Sequence, residues 1–306
     1  MSITEPGFYD IPASEYHADC CDPISLSRGI AHLLIKQSAE HAHYHHPKLG
    51  GHAGIKATSM MDDGSIVHEL LLGKGGGIQI IKAVYGPKHD LAGKPVRDFK
   101  TKDAQEERDA ITAAGKTPVL LHRYPELCSI AEVAEAKLRQ HPEGIEFFAP
   151  SRSEIVAVAK EGDTLLRVLV DRLPDDTALP PFDLKLTKLS AAPGGWERRF
   201  VSEYAFQGSF YNRVLASVEG RPRPPMRFIV IEEQPPHGVV VFAAAPTLLR
   251  IAEGEVDRAI MVWQHCLSTG RWPSYPPFTC HIEAPNWLLR AEEDQALRDE
   301  IMEERE

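Results

Sequence analysis

The feature that most constrains the fold of this chain is a change of hydrophobic periodicity near residue 150. Residues 154–159 alternate apolar and polar side chains, residues 161–163 read as a turn, and residues 164–173 return, which predicts a β-hairpin. A proline-containing loop then leads to a short strand at 182–186. A sheet formed by these strands has to be covered by the helices that the rest of the chain supplies.

The remaining segments predict those helices and two further strands. Apolar periodicity and helix-capping residues indicate helices at 28–37, 62–72, 103–114, 125–140, 203–218 and 248–268, and strands at 228–232 and 238–243. Helices, then strands, then a mixture of both predict one α/β domain. We expect this domain at 1–290, with a mainly helical part at 1–150 and the sheet with its helices at 151–290, followed by a charged tail at 291–306.

Composition excludes several classes of protein. Lys and Arg number 34 against 44 Asp and Glu, a net charge of −10, which argues against a protein that coats nucleic acid through a broad basic surface. It permits a local basic groove around an acidic metal site. The chain has no apolar run of about 18 residues, which argues against a membrane protein. Its N-terminus is neither basic nor apolar, which argues against an exported protein. Five cysteines without a CxxC pair predict reduced thiols and a cytoplasmic location.

Three charged side chains in the strand block form the candidate site. Asp171 lies near the end of the second hairpin strand, and Asp183 and Lys185 project to the same side of the next strand, while Leu184 points into the core. If the two strands pair, two carboxylates and an ammonium converge. Close carboxylates repel each other unless a cation lies between them, and Mg²⁺ prefers such oxygen ligands. This combination suits phosphodiester hydrolysis, although a surface Asp and an ordinary Asp–Lys ion pair are the alternative.

The ordered set of motifs resembles the PD-(D/E)xK nucleases, in particular their RecB-type branch, and is most similar to the exonuclease VIII (RecE-type) family of phage and prophage proteins. The resemblance extends over most of the chain and includes the stretches YHAD, ISLSRG, FKTKDAQEERDAITAAGKTPVLL, FIVIEEQPPHGVVVF and STGRWPSYPP. The motifs are Gly64-Ser65-Ile66-Val67-His68, Asp171, Asp183-Leu184-Lys185 and Gln207-Gly208-Ser209-Phe210-Tyr211. The resemblance implies a restriction-endonuclease-like core, that is, a central mixed β-sheet flanked by helices.

The same resemblance implies roles for individual residues. The implied metal ligands are His68, Asp171, Asp183, the Leu184 carbonyl and, from the neighbouring strand, Glu154. Lys185 is implied as the catalytic ammonium, and Gln207 and Tyr211 as residues that support the site and contact the DNA backbone. For an isolated His on an apolar helix face, a core residue would be the ordinary interpretation.

Other residues leave two interpretations open. Ser25, Ser27 and Arg28 at a helix start are candidates for binding a terminal 5′-phosphate, and simple helix capping explains them equally well. Arg198 and Arg199, with Trp196, either contact a nucleic-acid strand or are merely exposed.

Two further segments suggest binding sites that the sequence does not favour. The run His41–His46, with His52, lacks the spacing of a zinc module, so a polar, partly exposed segment is expected. Gly73–Gly77 lacks the surroundings of a phosphate-cradling P-loop.

The expected function is a Mg²⁺-dependent 5′→3′ exonuclease that acts on double-stranded DNA ends, with Mn²⁺ able to substitute. By resemblance, it leaves 3′ single-stranded tails for an annealing protein and forms a homo-oligomeric ring. The ring would be lined by Arg28, Lys100, Lys102, Arg198 and Arg199. The alternatives are an endonuclease or single-strand nuclease on the same core, and a non-catalytic module that binds DNA ends.

Overall fold

A computed structural model describes residues 2–50 and 59–303 of the chain. The helices are α1 (Ala13–His17), α2 (Arg28–Lys36), α3 (Ala39–His45), α4 (Ser59–Leu72), α5 (Lys102–Ala113), α6 (Arg123–Gln140), α7 (Pro193–Arg199), α8 (Ala205–Glu219), α9 (Pro246–Thr269) and α10 (Asn286–Glu303). The strands are β1 (Gly7–Tyr9), β2 (Ser25–Ser27), β3 (Ile78–Ile80), β4 (Thr117–Val119), β5 (Ser151–Glu161), β6 (Thr164–Pro174), β7 (Phe182–Thr187), β8 (Arg227–Glu232) and β9 (Val239–Ala243). A single π-helical turn, Phe200–Tyr204, joins α7 to α8.

The main sheet is mixed and has β6 near its middle. Its strand order is β1-β5-β6-β7-β8-β9, and β2 also pairs with β6. The β5–β6 hairpin is antiparallel, β7 and β8 are parallel, and β2 runs parallel to β6. β7 meets β6 through one antiparallel pair, Arg172 with Phe182. The next residues along these two strands, Asp171 and Asp183, therefore lie on neighbouring strands at the same level.

Helices cover both faces of this sheet. One core joins β5, β6 and β8 to α2, α8 and α9, with Phe210 and Trp263 fully buried in it. The other joins β7 and β8 to α4 and α6 through buried Ile66, Leu127 and Ile229. Burying apolar surface on both faces gives the three layers of an α/β fold. The predicted fold class, a central mixed sheet flanked by helices, is confirmed.

Most predicted elements occur within a few residues of their expected bounds. The predicted helix at 28–37 is α2, and the predicted hairpin is β5–β6, which is longer at both ends. Short elements such as β1, β2 and α1 were not predicted, because three to five residues carry too little periodicity. All five cysteines are free thiols.

The chain divides into two compact units, Met1–Pro273 and Ser274–Glu306. The first contains the whole sheet, and the second contains α10. The predicted tail at 291–306 begins inside α10, and its residues 304–306 lie outside the described part. Within residues 2–50 and 59–303, none of the helices combines the length and apolar character needed to span a membrane.

Candidate active site

The pairing of β6 with β7 brings the two predicted carboxylates together. Asp171 on β6 accepts a hydrogen bond from the Leu184 backbone N–H at 2.8 Å, which links it directly to the strand that carries Asp183. Lys185 Nζ contacts Asp183 Oδ2 in an ion pair. Asp183 is almost fully buried at 2% exposure, so this pair lies at the inner end of the site. The structure thus brings the predicted trio into one place.

His68 and Glu154 complete this cluster from two other elements. His68 on α4 has its Nε2 2.9 Å from Asp171 Oδ2 and its Nδ1 3.4 Å from Glu154 Oε1. Glu154 has a left-handed backbone with φ of 46°, and the β5–β6 ladder skips it between the pairs of Ser153 and Ile155. A side-chain-bearing residue adopts this conformation at a cost of about 1–3 kcal/mol, and such strain concentrates at functional sites. The break in the ladder lies beside Asp171.

The carboxylates perturb the protonation of the groups they surround. Burial opposes charge on the His68 imidazole, but Asp171, followed by Glu154, outweighs it and raises the pKa of His68 to about 10. Burial also opposes charge on Asp171, and His68 outweighs it, so the pKa of Asp171 lies below its ordinary value. Burial raises the pKa of Asp183 to about 6, with Lys185 opposing the shift and Asp171 adding to it. Perturbation of several neighbouring groups is typical of active sites.

Helix α8 holds the inner carboxylate from the other side. The Gln207 side-chain amide donates a hydrogen bond to Asp183 Oδ1 at 2.5 Å, and both groups are buried. Tyr211, one helical turn further on, is also buried and lies in the wall of a cavity shared with Asp183. The ammonium of Lys185 lies 5.8 Å from the ring centre of Tyr204 in the π-helical turn. Such turns occur frequently at functional sites.

The donor set suits a divalent cation, although its members currently pair with one another. Within residues 2–50 and 59–303, no group of three or more His, Cys, Asp or Glu side chains has the arrangement of a formed metal site. Asp183 Oδ2 is nevertheless buried without a hydrogen bond, next to an ammonium. The protonated imidazole supplies the positive charge between Glu154 and Asp171. Carboxylate oxygens and a neutral imidazole are metal ligands once that proton leaves.

Two cavities open on either side of Asp171 and Lys185. The larger, of about 1010 Å³, is bordered by α4, by the segment that leads into α1 and by the glycine-rich residues 74–76. The smaller, of about 310 Å³, is bordered by Ser27, Arg28, Gln207 and Tyr211. His17 borders both. Sequence reasoning missed His17, although it belongs to the YHAD stretch that carries part of the resemblance.

The three residues predicted to bind a terminal phosphate separate into two environments. Ser27 caps α2 by accepting from the Ile30 N–H at 3.5 Å, and it borders the smaller cavity with Arg28. Arg28 donates through Nη2 to the Glu203 carbonyl, while its buried Nε has no hydrogen-bond partner. Ser25 is fully buried on β2, where its hydroxyl donates to Asp19 at 2.6 Å and accepts from Arg167 at 2.7 Å. The structure therefore does not bring Ser25 to either cavity.

The remaining basic candidates lie outside both cavities. Arg198 and Arg199 end α7, and Arg199 lies within 3.9 Å of Glu203. Lys100 and Lys102 form exposed ion pairs with Asp98 and Glu106. Trp196 is 2% exposed and stacks on Tyr204 and Phe242, so both open interpretations of this aromatic residue, nucleic-acid stacking and simple exposure, are wrong. Its ring belongs to the core that also contains Phe200 and Tyr204.

The histidine run is partly exposed, as expected, at His41, His43 and His45, but not at His46. His46 is fully buried, with Nε2 3.1 Å from the Ser25 carbonyl and its ring beside Trp263. His41 Nδ1 lies 2.7 Å from the Ser38 hydroxyl. His52 lies outside the described residues. The expectation of a partly exposed segment is wrong at His46, because the chain leaves α3 there in an extended conformation and this residue packs into the core.

Comparisons with known proteins place the chain among nuclease folds. A family model described as "PDDEXK-like domain of unknown function (DUF3799)" matches residues 36–282. A crystal structure from Eubacterium rectale, described as a "putative exonuclease", superimposes with a TM-score of 0.51 at 10% sequence identity. The match covers 90% of this chain and 96% of that one, a likeness in fold. No curated protein sequence matches the chain.

Proposed function

The chain belongs to the PDDEXK-like family DUF3799, and we propose from this premise that it is a Mg²⁺-dependent deoxyribonuclease acting 5′→3′ on double-stranded DNA ends. PDDEXK nucleases generally depend on a divalent metal ion, and the family match together with the Eubacterium rectale description supports nuclease activity. The observation that carries the proposal is the convergence of Asp171, Asp183 and Lys185 beside His68 at the junction of two cavities.

The proposed metal ligands are His68, Asp171, Asp183, the Leu184 carbonyl and Glu154. A bound Mg²⁺ would supply positive charge to the phosphodiester oxygens and acidify a water molecule. Two hydrogen bonds orient the carboxylates that would bind the metal ion. Gln207 fixes the orientation of Asp183, and the Leu184 N–H fixes that of Asp171. His68 has to lose its proton before its nitrogen can serve as a ligand.

Lys185 is proposed to act as a charged donor rather than as a base. Burial lowers the tendency of its ammonium to hold a proton, but Asp183 and Asp171 outweigh burial and raise the pKa of Lys185 above its ordinary value. An ammonium that stays protonated at neutral pH stabilises negative charge developing on a phosphate and cannot take a proton from water. The Tyr204 ring, whose centre lies 5.8 Å from this ammonium, is within reach of a cation–π contact.

Binding of DNA ends is proposed to use the smaller cavity. The unpartnered Nε of Arg28 and the start of α2 favour an anion there, and this supports a terminal 5′-phosphate as the group bound by Ser27 and Arg28. Arg198 and Arg199, with Lys100 and Lys102, stay candidates for the inside of a homo-oligomeric ring. The 3′ tails left by such digestion are the substrate of an annealing protein, which we propose as the partner.

A nuclease assay on linear and circular duplex DNA tests this proposal. With Mg²⁺, we expect 5′-labelled linear DNA to release short labelled products while 3′-labelled tails persist, and covalently closed circles to stay intact. Asp171→Asn should abolish digestion. Linear DNA that survives would contradict the nuclease, cleavage of closed circles would indicate an endonuclease, and rapid loss of the 3′ label would reverse the polarity.

A further inference from the structure

The larger cavity has a wall to which the proposed mechanism assigns no role. The loop that follows α4 contributes Lys74, Gly75 and Gly76, and the turn before β4 contributes Gly115. These residues border the same cavity as His68, Asp171 and Lys185. A ligand that reaches the catalytic cluster from this side therefore passes along the glycine-rich loop.

Glycine is required at position 76 by a close contact and favoured at Gly73 and Gly77 by left-handed backbones, with φ of 68° and 93°. A Cβ on Gly76 would lie 2.2 Å from the Gly115 carbonyl oxygen, whereas one on Gly75 would meet Oε2, at the movable end of the Glu69 side chain, at 2.3 Å. The same Glu69 oxygen accepts a hydrogen bond from the Gly77 N–H at 3.2 Å. The loop therefore contacts α4 through Glu69 and packs closely on the turn at Gly115, and its glycines leave the backbone uncovered. A backbone without side chains permits close approach of a ligand.

Lys74 carries the ammonium of this loop, and its ion pair with Asp10 is weak because it is exposed. Lys74 Nζ lies 2.6 Å from Asp10 Oδ1, which belongs to the segment before α1 on the same cavity. The Asp10 side chain is 73% exposed. An ion pair exposed to this degree contributes about 0–1 kcal/mol, so another anion can replace the carboxylate at little cost.

We infer that Lys74 and the glycine loop Gly73–Gly77 bind the phosphodiester backbone of the DNA strand in the larger cavity, with a phosphate replacing Asp10. This rests on the proposed function. The cavity, at about 1010 Å³, reaches the upper end of the 300–1,000 Å³ range of small-ligand sites, which suits a polymer that continues beyond it. A flexible lysine is a point-charge phosphate binder and suits backbone contact without base recognition.

The two members of the ion pair are expected to act in opposite directions. Lys74→Ala removes the phosphate contact and should weaken duplex binding by about 3–10-fold, with the slope of log K against log salt reduced by about one. Asp10→Asn frees Lys74 and should tighten binding. A merely structural ion pair would instead make both variants bind DNA like the wild type or lose binding together.

The experiment is fluorescence anisotropy of a 5′-phosphorylated duplex in EDTA across a salt series, with all variants checked by thermal melting. The matched control is Lys160→Ala, an exposed lysine about 20 Å along β5 from Glu154. Gly76→Ala, which displaces the loop without changing charge, should weaken binding with an unchanged salt slope.

The outcomes separate this inference from the proposed function. Equal affinities for wild type, Lys74→Ala and Lys160→Ala would overturn the inference while leaving the nuclease intact. Weaker binding by Asp10→Asn would also overturn it, because the ion pair would then be the functional unit. If the wild type digests no DNA in the nuclease assay, the proposed function fails, whatever the salt series gives.

Discussion

Two charged clusters lie along the same strand, β6, and they differ in the balance of their positive and negative charges. At one end, buried Arg167 donates to Asp19, to the Tyr16 carbonyl and to both oxygens of Ser25. Near the other end, Asp171 shares one site with Asp183, whose buried Oδ2 contacts the Lys185 ammonium. Both clusters bury charge, but the first pairs one cation with one carboxylate and neutral acceptors, whereas the second holds three carboxylates against the cations of Lys185 and His68.

The difference distinguishes a cluster that holds the fold together from one whose charges suit the binding of a cation. A buried network in which the charges are matched holds elements together, here the N-terminal segment, β2 and β6. A cluster with an excess of carboxylates has perturbed protonation, with the pKa of Asp183 raised to about 6 and that of His68 to about 10. Such an excess persists in a folded protein when a ligand of opposite charge offsets it.

The largest expected effect is on catalysis. Asp183→Asn keeps the shape of the inner carboxylate and removes its charge, so we expect nuclease activity to fall by at least about 10³-fold, the upper range for loss of one electrostatic group. Initial rates on end-labelled linear duplex measure it. Asp163→Asn, in the exposed hairpin turn, is the matched control and should digest DNA normally. Retained activity in Asp183→Asn would erase the distinction between the clusters.

The structural cluster should respond in stability instead. Arg167→Met leaves Asp19 buried with its hydrogen bonds from Ser25 but without the guanidinium that balances its charge, so the free energy of unfolding should fall by about 3–5 kcal/mol. Urea unfolding at pH 7 measures the loss, and adding Asp19→Asn should recover part of it. Molecules that stay folded should keep their nuclease activity. A loss below about 1 kcal/mol would mean that this network does not hold the N-terminal segment.

A smaller effect is expected from the residue that orients the inner carboxylate. Gln207→Leu removes the hydrogen bond to Asp183 while keeping the volume of the side chain, so activity should fall by about 10–100-fold, as for other partners of metal ligands. The free energy of unfolding should also fall, by about 1–3 kcal/mol, because the buried Asp183 Oδ1 loses its donor, so rates are compared well below the melting temperature. The comparison is sharpened if Gln207→Glu, which adds a further carboxylate, loses more activity than Gln207→Leu. Wild-type rates in both variants would remove Gln207 from the site.

The smallest effect is a pH dependence of stability. Because the pKa of Asp183 is raised from 3.8 to about 6, the folded protein binds more protons than the unfolded chain between these values, and stability from this group falls as pH rises through that window. The Asp183→Asn variant has no carboxyl to ionise at this position, so its stability does not fall in this way. In EDTA, it should be more stable than wild type by on the order of 1–3 kcal/mol above pH 6 and equal to it below pH 4. A pH-independent difference would contradict the buried, ionised carboxylate.

The fold and the convergence of Asp171, Asp183 and Lys185 could be predicted because their signals are local. Alternation along residues 154–173 predicts the hairpin, and Asp183-Leu184-Lys185 predicts a shared side of one strand. Tertiary placement carries no such signal. Ser25 looks like a phosphate ligand in sequence, yet parallel pairing of β2 with β6 buries it against Arg167. Trp196 looks exposed among charged neighbours, and α7 turns it inward.

The surroundings of the site also depend on features that no pattern indicates. The left-handed backbone of Glu154 arises inside a strand, where alternation predicts an ordinary extended residue. Lys74 lies in a loop that lacks the phosphate-binding P-loop pattern, and its relation to Asp10 follows from the packing of distant segments around one cavity. Short segments gain their positions from contacts with the sheet, so their roles emerge only in three dimensions.

Calorimetric titration of Mn²⁺ into the EDTA-treated and dialysed protein, in two buffers of different ionisation enthalpy at pH 8, tests the central claim that the carboxylate-rich cluster binds a divalent ion. We predict saturable binding to the wild type with release of about one proton per site, because the His68 imidazolium, with its pKa of about 10, has to become neutral. Asp183→Asn should bind far more weakly. Absence of binding to the wild type, or identical isotherms for both proteins, would contradict the account.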